Sequence, residues 1–543
     1  MNYEIDRSRS VWNVEFPRTE ATVPNAQTPR FDHRADYSPL RPPASVEDRD
    51  ACALYSSVRK DGKPSHAPIP LALDALHQML HRAGNIDGEG DGCGVQIDIP
   101  RKIWAEEVRT DGHAPDLALD DKFAVAHIFV PRGSDVKSVQ HDALELMSNA
   151  GFRVLAQREG VVDSSALGPT AREEEPVFWQ IGGLIDGKRS TFDLTIELEK
   201  EFDVHVASFS HSNVVYKVMG APLALGKYFP DLLDERLETV FVLGHNRYST
   251  NTWPTFKRVQ PFSVIGHNGE INTIVQLREE AKLLGVPIHE DGSDSQDFNR
   301  TIATLIQRDG VSLIEAMEMV LPPIVNEIKD LREELQHFYM YLRQVFGPFT
   351  QGPVALISRD ENECVFSTDA LGLRPLWTVE TVDDFIFSSE PGVAQVADVV
   401  SQPKPFAPGE KIGVVVTPGK EAKLVPHDEL QTIAFRRWKE RIGIAEFPRY
   451  DTALLTGGPL EGPEIPGYAH AGPSEPVKVT DHVLGGFGWQ RDDMKLIQQM
   501  ASNGAEPIGS LGYDGPLAAL SPERQNIADY FKETVAVVTN PAI

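Results

Sequence analysis

The apolar run Val240-Phe241-Val242-Leu243 leads into His245-Asn246-Arg247-Tyr248-Ser249-Thr250-Asn251-Thr252-Trp253-Pro254. Such a run reads as a buried strand. The polar residues that end it then lie at a sheet edge, within reach of a ligand. Arg247 offers a planar fork suited to a carboxylate. Further on, His267-Asn268-Gly269-Glu270-Ile271-Asn272 supplies a side-chain amide and a glycine N–H, the usual parts of an oxyanion hole. Neither stretch contains a nucleophile. The plain alternative is a strand end and a turn whose polar residues face water.

The rest of the chain bounds what such a site could serve. At 543 residues it is too long for one small core, and two to four domains are expected. The formal net charge of -28 argues against nucleic acid or an anionic membrane as partner. No run of 18 apolar residues occurs, and the first residues lack the apolar segment of a secretory signal. Three cysteines, Cys52, Cys93 and Cys364, are too widely spaced for a zinc or iron–sulfur set. The expectation is a cytoplasmic protein with free thiols and no metal.

Residues 1–51 show no helical or strand period and read as an extended or poorly ordered leader. Cys52–Val58 reads as a strand with a cysteine as its first residue. Residues 70–82 form an amphipathic helix through Leu73, Leu76, Met79 and Leu80, with Gly84 closing it. The glycine-rich stretch 84–94 lacks the Lys-Ser/Thr of a phosphate loop. As a calcium loop starting at Asp87 it would carry Asp98, not Glu, at position twelve. A mobile loop over a site is the favoured reading and a plain hairpin its alternative. Phe123–Val130 is a strand and 138–150 a helix, while 195–198, 204–208 and 213–218 look strand-like. Helices follow at 298–307, with Ser and Asp at its start, and at Ser312, where Glu315 completes a capping box. Segments 353–358, 363–367 and 384–389 read as an antiparallel meander, and 411–416 as a further strand. Residues 451–475, rich in Pro and Gly, look like a linker, with helix, turn and helix over 492–543.

Cys52, the glycine-rich loop, Arg247-Tyr248-Ser249-Thr250-Asn251-Thr252 and His267-Asn268-Gly269-Glu270-Ile271-Asn272 together resemble the class II glutamine amidotransferase domain of glutamate synthase large subunits. His81-Arg82, Asp91-Gly92, Gly292-Ser293-Asp294-Ser295, Gly372-Leu373-Arg374-Pro375 and Ser389-Glu390 follow in the same order. The resemblance covers roughly 45–420, and the last residues resemble the start of that family's central domain.

The resemblance implies an α+β fold, the four-layer αββα sandwich of N-terminal nucleophile hydrolases, with a C-terminal linker and a partial α/β central-domain segment. It divides the chain into a propeptide (1–51), an amidotransferase domain (52–435) and a linker with the start of a central-like domain (436–543). It implies that Cys52 becomes the N-terminus and attacks glutamine, that Asn268 and Gly269 hold the oxyanion, and that Arg247, Ser249, Thr250 and Asp294 bind the substrate. No cofactor is expected in this chain; FMN and an iron–sulfur cluster are expected only in a partner, a synthase-type chain docking on 436–543 and receiving the ammonia. An amidohydrolase for another amide, or a non-catalytic relative, are the competing functions. Three departures mark a divergent branch: Cys52-Ala53 in place of Cys-Gly, His81-Arg82-Ala83-Gly84 in place of His-Arg-Gly, and Ala370-Leu371-Gly372-Leu373-Arg374-Pro375 in place of Arg-Asn-Gly-Leu-Arg-Pro.

Overall fold

The structure, a computed structural model, describes residues 52–449 except 87–88, 187–188, 248–253, 395 and 418, together with the helix Arg491–Asn503. The linker 451–475, most of the segment beyond it and residues 1–51 lie outside the described residues.

Strand alternation builds the layers. In Ala53–Arg59, Ala53 and Tyr55 join one apolar cluster while Leu54 and Val58 join another. Side chains two apart share a face, so this strand is buried on both sides. Its sheet runs Lys404–Pro405, Trp377–Glu380, Asp384–Ser388, Ala53–Arg59, Phe241–Asn246, Cys93–Asp98, Asn213–Val218, all antiparallel. The outer cluster packs it against the helices Pro68–Gln78 and Pro222–Tyr228. The inner cluster joins Leu54 and Leu243 to Ala355, Ile357 and Phe366 of a second antiparallel sheet. That sheet has the order Ile265–Gly269, Val354–Asp360, Glu363–Thr368, Lys411–Val415, Lys423–Val425. Phe366 and Phe387 stack between the sheets with ring centroids 3.6 Å apart. On the far side of the second sheet, Val354, Leu356 and Val365 pack against helices that include Asp294–Gln307, Leu313–Val320 and His427–Ile442. The result is helix, sheet, sheet, helix, as expected.

A four-stranded sheet, Phe152–Glu159, Val177–Ile185, Phe123–Val130, His205–Ser210, adds a flank. It is covered by the helices Val136–Asn149 and Thr191–Glu201.

Four sequence readings change. Residues 195–198 are helical: Ser190 and Asp193 form a capping box, and Leu194 and Leu198, one turn apart, are buried together. The β-branched Thr195 and Ile196 imitate a strand, but the cap decides the local structure. Residues 384–389 do not continue the meander. Asp384–Ser388 pairs with Ala53–Arg59 in the first sheet, and Lys411–Val415 takes the place beside Glu363–Thr368. The first amphipathic helix spans Pro68–Gln78, and Leu80–Arg82 forms a separate 3₁₀ turn, so Gly84 closes nothing. The glycine-rich stretch is a hairpin, Asn85–Ile86 against Glu89–Gly90, rather than an open loop. The Glu89 carboxylate accepts from the N–H groups of Thr170 (2.9 Å) and Ala171 (3.3 Å) and ties this hairpin down.

Candidate active site

The register of the first sheet assembles the site. Ala53 lies opposite Asn246, and Asn246 opposite Cys93. One step further along the same strands, Arg247 lies between Cys52 on one side and Gly92 on the other; the Arg247 N–H donates to the Gly92 carbonyl at 2.7 Å. Arg247 thus sits at the end of a central strand rather than along a sheet edge. Next to Cys52, Leu54 is clamped by Ser389, whose Oγ accepts from the Leu54 N–H and whose N–H donates to the Leu54 carbonyl, both at 3.0 Å.

Cys52 is a free, buried thiol with 4% of its surface exposed. Burial pushes its pKa up to about 11; Arg247 and Arg374 pull it down, while Asp91 and Asp294 push it further up. Four charged groups from four separate segments therefore bear on one sulfur. Cys93 and Cys364 are also buried, and burial raises both thiols. Cys93 opens a central strand and is fully covered, so it does not lie in an exposed loop.

Arg247 carries a positive φ of 108°, which costs a residue with a Cβ about 1–3 kcal/mol and is found where function demands it. Its Nε lies 3.3 Å from Asp91 Oδ2. Asp91 is buried, and burial raises its carboxyl to about 7 against the opposing pull of Arg247. Gly84 explains how the pair fits. A Cβ there would stand 1.9 Å from Asp91 Oδ2 and 3.2 Å from Arg247 Nε.

The residues expected to hold an oxyanion, Asn268 and Gly269, come from the second sheet. Asn268 is buried, and its Nδ2 donates to nothing among the described residues. Gly269 has φ +134°, and a Cβ on it would lie 1.7 Å from the Pro353 carbonyl oxygen, so only glycine fits. The backbone of His267, before Asn268, is held at both its carbonyl and its N–H. The His267 carbonyl accepts from His245 Nε2 (2.9 Å) and Gln260 Nε2 (3.2 Å), and its N–H donates to Gln260 Oε1 (2.8 Å). Burial lowers both histidines to about 4, so they are neutral near pH 7.

Asp294 is the first residue of its helix; the cap is Ser293, whose box partner is Gln296. The Asp294 carboxylate accepts from the Ile271 N–H at 3.0 Å and the Ser295 N–H at 2.6 Å. It is thereby tied to the segment following Gly269. Ser295 Oγ donates to Asp294 and stands 2.8 Å from His267 Nδ1. The structure thus sets Arg247 beside Cys52 and ties Asp294 to the segment after Asn268 and Gly269, which end a strand of the facing sheet. Ser249 and Thr250 lie outside the described residues. Sequence reasoning gives Asp91, Gln260 and Arg374 no role. Asp91-Gly92 and Arg374-Pro375 stand out as motifs, but nothing in a motif says which buried charge faces which.

Such a constellation, a buried thiol at a strand start with an amide donor and a glycine N–H nearby, suits acyl transfer by a cysteine nucleophile. The chain belongs to the class II glutamine amidotransferases, whose family model matches residues 52–437 and so begins at Cys52. A second model, the glutamate synthase central domain, matches residues 483–543. The chain is 28% identical to the glutamate synthase [NADPH] large chain of Azospirillum brasilense over 92% of its own length and 34% of that protein. It is 29% identical to ferredoxin-dependent glutamate synthase 2 of Synechocystis sp., over 93% of this chain and 33% of that one. It thus spans about a third of the length of these curated relatives. A solved glutamine phosphoribosylpyrophosphate amidotransferase from B. subtilis overlaps 56% of this chain and 49% of its own, with 16% identity and a TM-score of 0.27. Among the described residues no helix is long and apolar enough to cross a membrane.

Proposed function

We propose that this chain hydrolyses L-glutamine to glutamate and ammonia through a thioester on Cys52, and that the ammonia passes to a glutamate synthase-type partner. The observation that carries the reading is that the register sets Arg247 beside Cys52 while a hydrogen bond ties Asp294 to the segment just after Asn268 and Gly269. An α-carboxylate needs the first and an α-ammonium the second, and an amidase for an uncharged amide needs neither. FMN and an iron–sulfur cluster belong to the partner in this reading.

The thiol requires a base. With a pKa near 11 it is almost wholly protonated at pH 7. Removal of residues 1–51 frees the Cys52 α-amino group, whose ordinary pKa of about 7.7–8.0 suits it to take that proton. The sulfur then bonds to the amide carbon, and the carbonyl electron pair moves to oxygen, facing Asn268 Nδ2 and the Gly269 N–H. As the C–N bond breaks, the proton held by the α-amino group goes to the departing nitrogen and ammonia leaves. Water, deprotonated by the same amine, opens the thioester and releases glutamate and the thiol.

The experiment is to measure the intact mass and the glutaminase activity of the same preparation. The active species is expected to start at Cys52. An unprocessed chain with full activity would overturn the mechanism, since a peptide nitrogen is no base. Gly84→Ala is a second check. Crowding Asp91 and Arg247 misplaces the carboxylate fork, and kcat/KM for glutamine is expected to fall by up to about 10²-fold. An unchanged value would remove Arg247 from the substrate site.

A further inference from the structure

The turn 369–374 is held as a rigid presenter of one side chain. The Asp369 carboxylate accepts from the N–H groups of Leu371 (2.9 Å), Leu373 (3.0 Å) and Arg374 (3.4 Å), and also from Val354 at 3.1 Å. Val354 lies opposite Gly269 in the second sheet, so the turn is fixed directly against the oxyanion strand. Gly372, at φ +65°, supplies the left-handed residue the turn needs. At its end stands Arg374, half-buried, with Nε shielded from water and without a hydrogen-bond partner among the described residues. A guanidinium carries five donors, and leaving a shielded one unmade is costly. The fold tolerates that cost where the charge serves something else.

We propose that Arg374 is the cation that supports the Cys52 thiolate and the negative charge that follows from it, staying uncommitted while Arg247 and Asp294 are taken up by substrate. The proposal rests on Cys52 being the glutamine-cleaving nucleophile. The register sets Arg247 beside Cys52, Asp91 pairs with Arg247, and Asp294 and the turn bearing Arg374 are both tied to the strand and segment of Asn268 and Gly269; these four charges act on the sulfur. Arg247 already shares its charge with Asp91. When glutamine binds, its carboxylate takes Arg247 and its ammonium takes Asp294, so both become neutralised. Asp91 and Arg374 remain, and Arg374 is then the side-chain cation left, beside the protonated α-amino group of Cys52 itself, to offset negative charge at the sulfur. Charge so placed in a water-poor site acts far more strongly than in water.

The test compares processed wild type with Arg374→Gln and Arg374→Lys. Two quantities are read: the pH dependence of Cys52 alkylation by iodoacetamide, followed by mass spectrometry, and the kinetics of glutamine hydrolysis. Arg374→Gln is expected to move the alkylation profile to higher pH by about one unit. It should lower kcat roughly tenfold or more with KM little changed. Arg374→Lys should recover most of both. Arg374→Met, which keeps the aliphatic stem, replaces the Gln variant if that one fails to fold. A labelled Cys52 with an unshifted profile overturns this proposal alone, as does a loss confined to KM. A wild-type Cys52 that neither labels nor supports hydrolysis overturns the nucleophile reading, and this proposal with it.

Discussion

Replacing Cys52 by serine is expected to lower glutamine hydrolysis by on the order of 10⁴-fold or more, the scale on which loss of a nucleophile acts. The fold should be unaffected. Only one atom changes, and Cys52 lies before the first strand rather than inside a ladder, with Leu54 anchored independently by Ser389. The hydroxyl is a poorer nucleophile than the thiol and far harder to ionise in a site that already drives the thiol to about 11. An electrophilic glutamine analogue should label Cys52 in the wild type and leave Cys93 and Cys364 untouched. Both of those are fully buried, and Cys93 donates its S–H to the Ala221 carbonyl. Retained hydrolysis in the serine variant, or labelling mainly at Cys93, would refute the assignment. Kinetics, mass spectrometry and a circular dichroism spectrum of the variant suffice.

Local signals carry much of the fold. The strand after Cys52, the capped helices at Ser293 and Ser312 and the strand at 123–130 rest on period and caps, which are properties of a few neighbouring residues. Pairing across long separations is not such a property. Asp384–Ser388 has the composition of a meander strand, yet joins a strand more than three hundred positions earlier. Its choice of sheet is set by which apolar face it completes. The helix Thr191–Glu201 is hidden in the sequence because β-branched residues fill its middle while the decisive cap lies outside them.

The site divides in the same way. Asn268-Gly269 and Arg247 stand out because a guanidinium fork, and an amide beside a glycine N–H, suit a carboxylate and an oxyanion. Asp91 is not, because a carboxylate in a glycine-rich hairpin reads as solvated. It becomes a buried partner of Arg247 only once the register sets Gly92 beside the arginine backbone. Gly84 reads as a helix terminator for want of that same packing. Its lack of a side chain answers to Asp91 and Arg247, not to the helix.

Asn268→Ala and Gly269→Ala are expected to separate catalysis from folding, though the two residues are neighbours. Asn268 Nδ2 is shielded from water and makes no hydrogen bond among the described residues. Truncating it removes an unsatisfied donor, so stability should hold or rise slightly. In the proposed reaction that donor meets the oxyanion, and its loss should cost about 10²–10³ in kcat, or about 2.7–4 kcal/mol. KM should move little, because the charge it serves exists only along the reaction coordinate. Gly269→Ala behaves otherwise. Its Cβ would lie 1.7 Å from the Pro353 carbonyl oxygen at a φ that side chains rarely adopt. Relief requires parting the first strand of the second sheet from Val354–Asp360, its neighbour and anchor. The Gly269→Ala variant should therefore lose thermal stability along with activity, while the Asn268→Ala variant keeps its melting temperature and loses only turnover. Thermal unfolding measured beside kcat and KM decides it. A destabilised but active Asn268→Ala variant would show that Asn268 is a structural amide and would take the oxyanion role away from it.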